Sequence, residues 1–427
     1  MSRNSRPSSS ADTRPPGKAG TRPVAGGRRR FLGTGVAVGA ALGLGGAPAL
    51  LRAQPAAVRI GLVHPVTGFI AFSGTQCRAG AEMAIADVNA AGGIRSMGGA
   101  KLEAVLADSQ GKPEIGAAEV AKLVEGGVHG IVGGYSSAIT LATTQEAAKT
   151  NTPHVVDVGV SDEIVQRGLA NTFRFSPGYG KIAEIAVANL RAINEAAGSP
   201  AKSAMIVHEE SLFGTGTAEL LSKQLPGIGI EVLGVIKHAN PTRDFTNVAL
   251  QLRSKAPDLV IPANYYNEYV LLARTMRQQR VAPMGIYSVL GGAASNYQFV
   301  REFPEAADGI MDCNHWFDPS SDLALARRKA AEDEGLFYTY EVFLAYNAVA
   351  LLADAIERAG STEPDAVNAA LAASTWAGHG MPYGPTRMVD GQNEGAQPVN
   401  TQVQGGEIEV LLPEAFASAK AVFPAKG

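Results

Sequence analysis

From Val58 onward the apolar residues fall into two rhythms. Short unbroken apolar runs, Val58–His64, Leu102–Ala107, His129–Val132 and His154–Val158, alternate with longer stretches of helical spacing at Gly74–Ala91, Glu114–Glu125 and Ala138–Lys149. Runs with no polar alternation cannot leave one face in water. Joined by helical crossovers, they predict a parallel sheet covered on both faces. Phe173-Arg-Phe-Ser-Pro177 reads as a crossing segment, after which the alternation restarts. Strands are expected at Ser203–His208, Glu231–Lys237, Asp258–Pro262 and Met284–Ser288, with helices at Gly214–Leu225, Phe245–Ser254 and Asn267–Gln279 between them. Past Gly309–Cys313 come a long amphipathic helix, Tyr338–Ala359, then Tyr383–Met388. A hairpin of Pro398–Gln404 and Glu407–Leu411 follows, turning at Gly405-Gly406. Two similar α/β halves predict two lobes facing across a cleft.

In such sheets ligands sit beyond the carboxyl ends of the strands. In the first half the loops there are Pro65–Gly74, Gly133–Ser137 and Asp157–Asp162. The most informative stretch is Gly130-Ile-Val-Gly-Gly-Tyr-Ser-Ser-Ala-Ile-Thr140, a strand tip, a glycine turn, two serines and a helix start. Free helix-start N–H groups, the positive end of the helix dipole and a serine hydroxyl together suit an anion. The alternative, that Ser136 or Ser137 simply caps the helix, is open on this stretch alone.

Composition changes the picture mainly at the amino end. Within residues 1–53, nine of the chain's 37 Lys and Arg residues face one of its 40 Asp and Glu. Arg28-Arg-Arg-Phe-Leu-Gly33 opens a Gly- and Ala-rich apolar run to Leu51, followed by small-residue sites at Ala47-Pro-Ala49 and Leu51-Arg-Ala53. This resembles a cleaved twin-arginine export signal. A membrane anchor is the alternative, but the run barely reaches spanning length and carries five glycines. Removing it leaves 28 basic against 39 acidic residues, a net charge of −11. That balance argues against nucleic acid as a partner. Cys77 and Cys313 offer a pair for a disulfide but no framework. No His/Cys spacing of metal-site type occurs, so neither metal nor cofactor is expected.

The motif order resembles a known family. Pro65-Val-Thr-Gly68, Asp87-Val-Asn-Ala-Ala-Gly-Gly-Ile94, Gly133-Gly-Tyr-Ser-Ser137, Gln166-Arg-Gly168, Phe213-Gly-Thr-Gly216, Asp244-Phe245 and Gly384-Pro385 follow in sequence. Together they are similar to the leucine/isoleucine/valine-binding group of periplasmic solute-binding proteins that serve ABC importers. The resemblance implies two Rossmann-like lobes joined by three crossovers, closing on a small carboxylate or amide and docking on a permease. It implies lobe I at 57–175 plus 313–384 and lobe II at 177–310 plus 386–415, in an exported, monomeric mature protein that is not inserted in the membrane. Its carboxylate loop falls on Tyr135, Ser136 and Ser137, its second contact loop on Val158 to Ser161 (Val160 and Ser161 foremost), its first-loop aromatic on Ser73, and its second-lobe aromatics on Phe213 and Tyr265. Tyr265, Tyr266 and Tyr287 all lie at second-half strand ends, where rings can close over a ligand.

The chain also departs from this pattern. The segment Ile286-Tyr-Ser-Val-Leu-Gly-Gly292 has no acid where amino-acid binders of the group hold an ammonium, and Glu209, Glu210 and Glu268 are the substitutes at hand. Ser73 replaces an aromatic, and Gly111 and Ser136 stand where the group has a cysteine pair. A buried ammonium without a carboxylate is costly, so an aromatic or short organic acid, or a neutral amide, stands beside a branched-chain amino acid as the expected ligand. Other readings are a ligand-sensing clamshell and a serine hydrolase using Ser136. For the latter, Gly134-Tyr-Ser136-Ser-Ala138 imitates a nucleophile elbow but lacks its last glycine, and His238, His315 and His379 carry no supporting motif. Gly214-Thr-Gly216 lacks the third glycine of a dinucleotide site.

Overall fold

The computed structural model describes residues 55–425, so the export signal expected over 1–53 lies outside the described residues. Five strands open the first half: β1 (Val58–His64), β2 (Leu102–Asp108), β3 (Gly130–Gly133), β4 (His154–Val156) and β5 (Thr172–Arg174). Five more form the second: β6 (Ser203–Glu209), β7 (Glu231–His238), β8 (Leu259–Ala263), β9 (Gly285–Val289) and β10 (Met311–Asn314). The short strands β11 (Met388–Val389) and β12 (Gln392–Asn393) and the hairpin β13 (Val399–Gln404) and β14 (Glu407–Leu412) complete them.

These strands make two seven-stranded sheets, ordered β11-β12-β5-β4-β3-β1-β2 and β14-β13-β10-β9-β8-β6-β7. Within each, the first five strands pair in parallel; β13 runs antiparallel to β10 and β14. The unbroken burial of β3, β4 and β8 explains their largely apolar sequences: helices cover both faces. The sheets repeat one topology. In each, strand order reverses between its first and third strands, β1/β3 and β6/β8, and a crevice opens beyond the carboxyl ends there.

The chain passes between the sheets three times, after β5, after β10 and after β12. Two boundaries differ from the sequence expectation. Thr172–Arg174 is a strand of the first sheet, so the first crossing begins at Phe175, and β10 belongs wholly to the second sheet, which puts the second crossing at His315. Likewise β12 pairs with β5 at Gln392–Arg174, so residues 388–393 extend the first sheet rather than the second. Two-residue strands carry no periodicity, which is why this edge escapes a sequence pattern. The structure adds a helix at Tyr179–Ala196, absent from the alternation above, whose apolar face packs on β9 and β10.

The Ala71–Ala90 helix starts three residues earlier than expected and lies along the Tyr340–Ala359 helix, the most extensive helix pair in the protein. The two backbones meet closely at Gly80, where any Cβ would collide with the Val342 carbonyl. This contact sets Ser73 against Glu341. Replacing Gly80 by Ala is expected to destabilise the fold by about 1–3 kcal/mol through overpacking, measured as a lowered denaturant midpoint with unchanged slope.

Candidate functional site

The loop after β3 is built to hold its amides open. Gly133 and Gly134 have φ of 136° and 119°, and a Cβ on either would strike the Val63 carbonyl or the Thr140 hydroxyl. Tyr135 follows with φ 50°, a left-handed conformation that costs a non-glycine residue of order 1 kcal/mol or more. The turn is held from beneath by Asp157. Its Oδ1 accepts the Tyr135 N–H at 3.3 Å and the Val158 N–H at 2.6 Å, while Oδ2 lies 2.9 Å from Nε2 of His64, all buried. Burial pushes the Asp157 carboxyl up, but the His64 contact and the two amides outweigh it and hold the acid below its ordinary value.

Ser136 is the N-cap of the Ser137–Ala148 helix, its Oγ accepting from the Ile139 N–H at 3.4 Å, so capping accounts for part of this serine. Ser137 is different: its Oγ accepts the Ser161 N–H at 3.1 Å and keeps its own proton to donate. Behind the 159–161 loop the buried Arg174 guanidinium donates to the Ser161 carbonyl at 2.7 Å and pairs with Asp162 at 3.3 Å. Burial lowers its pKa to about 10, which leaves it cationic at neutral pH.

The second lobe meets this surface through aromatic rings. Tyr265 lies 5.8 Å from Tyr135, 6.5 Å from Phe69 and 5.3 Å from Phe213, ring centre to ring centre. Phe72 stacks on Tyr266 at 4.0 Å, and Asn267 Nδ2 donates to the Phe69 carbonyl at 3.2 Å. The lobes are therefore closed. Between them lies a cavity lined by Tyr135, Ser136, Ser137, Val158, Val160, Phe213, Asn264, Tyr265, Leu290, Gly292, Asn314, His315 and Tyr340. Water centres have about 30 Å³ in it, room for one or two waters. A larger open hollow of about 1040 Å³ lies on the outer edge of the first sheet beside β12, away from both switch-point crevices.

Of the residues expected in the site, Tyr135, Ser136, Ser137, Val160, Phe213 and Tyr265 line this cavity together. Ser161 is one step behind, bonded to Ser137, and its hydroxyl donates to Tyr179 at 3.4 Å. Ser73 is buried beside the Tyr135 hydroxyl and Glu341, outside the cavity wall. Tyr287 is a correction. Its side chain leaves β9 toward the Tyr179–Ala196 helix, and its hydroxyl sits 2.7 Å from the Ala186 carbonyl and 2.5 Å from Asn400 Oδ1. A strand buried on both faces gives no sequence signal of which way a ring points. Tyr266 faces Phe72 across the lobe interface rather than the cavity.

No acid lines the cavity. Glu209 is consumed by the start of the Leu212–Gln224 helix, accepting from the Ser211 and Gly214 amides at 2.6 and 2.7 Å. Asp312 holds the loop after β9 through Gly291 N–H, Ser295 and Asn314, and burial raises it to about 6. Sequence reasoning missed Glu341. It is fully buried one layer behind Tyr135 and Tyr340, neither oxygen has a well-formed hydrogen bond among the described residues, and burial raises it to about 7. A glutamate in the apolar first turns of a helix whose other charges lie at its far end was the available signal. His315 and Asn264 were missed too, because only the tertiary fold brings their strand ends together.

His238 and His379 hold loop carbonyls, and His315, which shares the cavity with Ser136, bonds to neither an acid nor the serine. No catalytic triad is assembled among the described residues. His64, Cys77 and Asp157 cluster beneath the Tyr135 loop, all buried. Cys77 is a free thiol on the first lobe and Cys313 another on the second, so the possible pairing is not made.

Residues 57–406 match the periplasmic binding protein family. The chain belongs to that family. The Leu/Ile/Val-binding protein homolog 8 of Brucella abortus is 27% identical over 410 residues, covering 90% of this chain and 98% of that protein. Two solved structures share the fold. The branched-chain amino acid substrate-binding protein LivJ of Streptococcus pneumoniae, in complex with isoleucine, superposes with TM-score 0.72 at 22% identity, covering 84% of this chain and 100% of its own. A solute-binding protein of R. palustris in complex with benzoate gives 0.73 at 20%, covering 86% and 97%. As a periplasmic binding protein, the chain is an exported component that binds a small ligand and is not an enzyme. No helix among the described residues of this periplasmic binding protein is long and apolar enough to cross a membrane.

Two substitutions separate wall from support. Tyr287→Phe should cost about 1–3 kcal/mol of stability by leaving a buried acceptor unmet, while ligand affinity stays unchanged in calorimetry. Glu341, with a folded pKa of about 7 against an ordinary 4.5, keeps its proton longer in the native state. Its contribution to stability should therefore fall as pH rises from about 4.5 through about 7, by on the order of 3 kcal/mol. The readout is the difference between the two proteins, because the depressed imidazoles of His154, His315 and His379 act in the opposite sense below about pH 6.5: Glu341→Gln should gain on wild type by that amount across the same range. Thermal midpoints across pH 4–8 read both.

Proposed function

We propose that the protein captures a small carboxylate that carries no α-ammonium, an aromatic or short organic acid, with a primary amide as the neutral variant, and delivers it to an ABC permease. The observation that carries this reading is the composition of the cavity wall. It offers hydroxyls and a helix start backed by Arg174, and it contains no acid. The carboxylate sits on the Ser137 hydroxyl and the amino end of the Ser137–Ala148 helix, each charge-assisted bond worth about 1.5–3 kcal/mol. Phe213, Tyr265, Val158, Val160 and Leu290 face the apolar body, with the two walls standing further apart than in the closed form, where only one or two waters fit. An α-ammonium in the same space would meet no charge, since Glu209 is spent on its own helix. Benzoate in the R. palustris protein of the same fold is consistent with this class. Closure follows from contacts that exist only when both lobes meet, so ligand shifts an open–closed equilibrium. Export through the twin-arginine route is part of the same reading and rests on Arg28-Arg-Arg-Phe-Leu32.

One observation favours a second reading, an α-amino acid. Glu341 is a buried, unpaired acid one layer from the cavity and would receive an ammonium if Tyr135 and Tyr340 parted. A thermal-shift panel of aromatic acids, short organic acids, amides and branched-chain amino acids decides between them. The carboxylates should raise the midpoint by mass action and the amino acids should not. Tight binding of leucine, isoleucine or valine that is lost in Glu341→Gln would install the second reading. Ser137→Ala should weaken carboxylate binding by about 10- to 100-fold and lower stability only slightly, through the freed Ser161 N–H.

A further inference from the structure

His315 sits where the chain leaves β10 for the second crossing, in the wall of the closed cavity. Its backbone N–H donates to Asn314 Oδ1 at 2.8 Å, which fixes the turn, and its ring lies 6.4 Å from that of Tyr340. The side chain is 1% exposed, yet neither Nδ1 nor Nε2 has a hydrogen-bond partner among the described residues. Each of the other six histidines has at least one ring nitrogen engaged: His64 by Asp157, His129 by the Arg59 amide, His154 by the Gly133 carbonyl, His208 and His238 by neighbouring carbonyls, His379 by Gly384. A buried polar group left unmet is costly, so two on one ring in the wall of a binding cavity point to a ligand.

What the ring can take follows from its charge state. Burial, and then the positive field of Arg174, lower its pKa to about 3, so it is a neutral imidazole with one donor and one acceptor. Asn264 Oδ1, also in the wall and also unpartnered, is tied to the same patch: Gly292 N–H donates to the Asn264 carbonyl, and Asn314 Nδ2 donates to that of Gly291. Resting on the carboxylate reading above, we infer that His315 selects ligands bearing a second polar group, a hydroxyl or amide that both donates and accepts a hydrogen bond. Without that group the imidazole stays unmet in the closed protein, and discrimination of this kind is the strong kind.

The test uses the purified mature protein and pairs of probes differing by one hydroxyl: 4-hydroxybenzoate with benzoate, 4-hydroxybenzamide with benzamide, and tyrosine with phenylalanine. Titration calorimetry is run on wild type, His315→Phe, which keeps a ring but no nitrogen, and His315→Gln, which keeps a donor and an acceptor. Wild type should prefer the hydroxylated member about 10-fold or more. His315→Phe should abolish the preference, read as the ratio of the two affinities within each pair, and His315→Gln should restore part of it. The thermal midpoint of His315→Phe should match or exceed wild type, whereas a purely structural histidine would give a loss. A preference that survives in His315→Phe, or binding without preference in every pair that binds, overturns the inference. If only the tyrosine pair binds, and with a His315-dependent preference, the carboxylate reading falls and the inference stands. Silence in all pairs overturns both.

Discussion

The site depends on one buried carboxylate. Asp157 accepts the amides of Tyr135 and Val158 with one oxygen and engages His64 with the other, so it ties the loop after β3, the loop after β4 and the end of β1 to one point. The strained Tyr135 conformation is affordable only because its amide is held this way. With Tyr135 fixed, Ser136 and Ser137 open the next helix toward the cavity, and Ser137 locks onto the Ser161 amide. Three loops from three strands thus behave as one rigid wall. The hydroxyls facing the cavity are positioned before any ligand arrives, which reduces the ordering cost of binding.

The second lobe repeats the logic with different chemistry. Glu209 does for the loop after β6 what Asp157 does for the first lobe, spending its charge on the Ser211 and Gly214 amides. Asp312 does the same for the loop after β9. Glu209 and Asp312 thus support backbone rather than offer a contact for a cation, whereas Glu341 and Glu268 each keep an oxygen unmet. That division follows from burial: a carboxylate out of water must take several donors, and here backbone amides supply them.

The sequence made the architecture legible because unbroken apolar strands and long helices each bear a distinct periodicity. The Gly133–Ser137 loop was legible for a different reason, since glycine, glycine, serine and serine at a strand–helix junction have few uses. What stayed hidden was whatever the pattern does not encode. Tyr287 points inward because β9 is buried on both faces, and no alternation distinguishes its sides. The edge strands at 388–393 are too short for any period. Glu341 and His315 lie some 200 residues from the serines they neighbour in space, and only the packing of the Ala71–Ala90 and Tyr340–Ala359 helices and the second crossing bring them there.

The stack of Phe72 on Tyr266 and the Asn267 bond to Phe69 belong entirely to the protein, so part of the free energy of closure is independent of the solute. Such a latch raises the resting fraction of shut molecules. A shut molecule admits nothing, so capture slows to the rate at which the latch springs open, and the apparent Kd is the intrinsic Kd divided by the fraction left ajar. Once a solute is inside, the same latch lengthens its stay. The two rings thus exchange speed of uptake for retention, and that balance is set by residues that never touch the cargo.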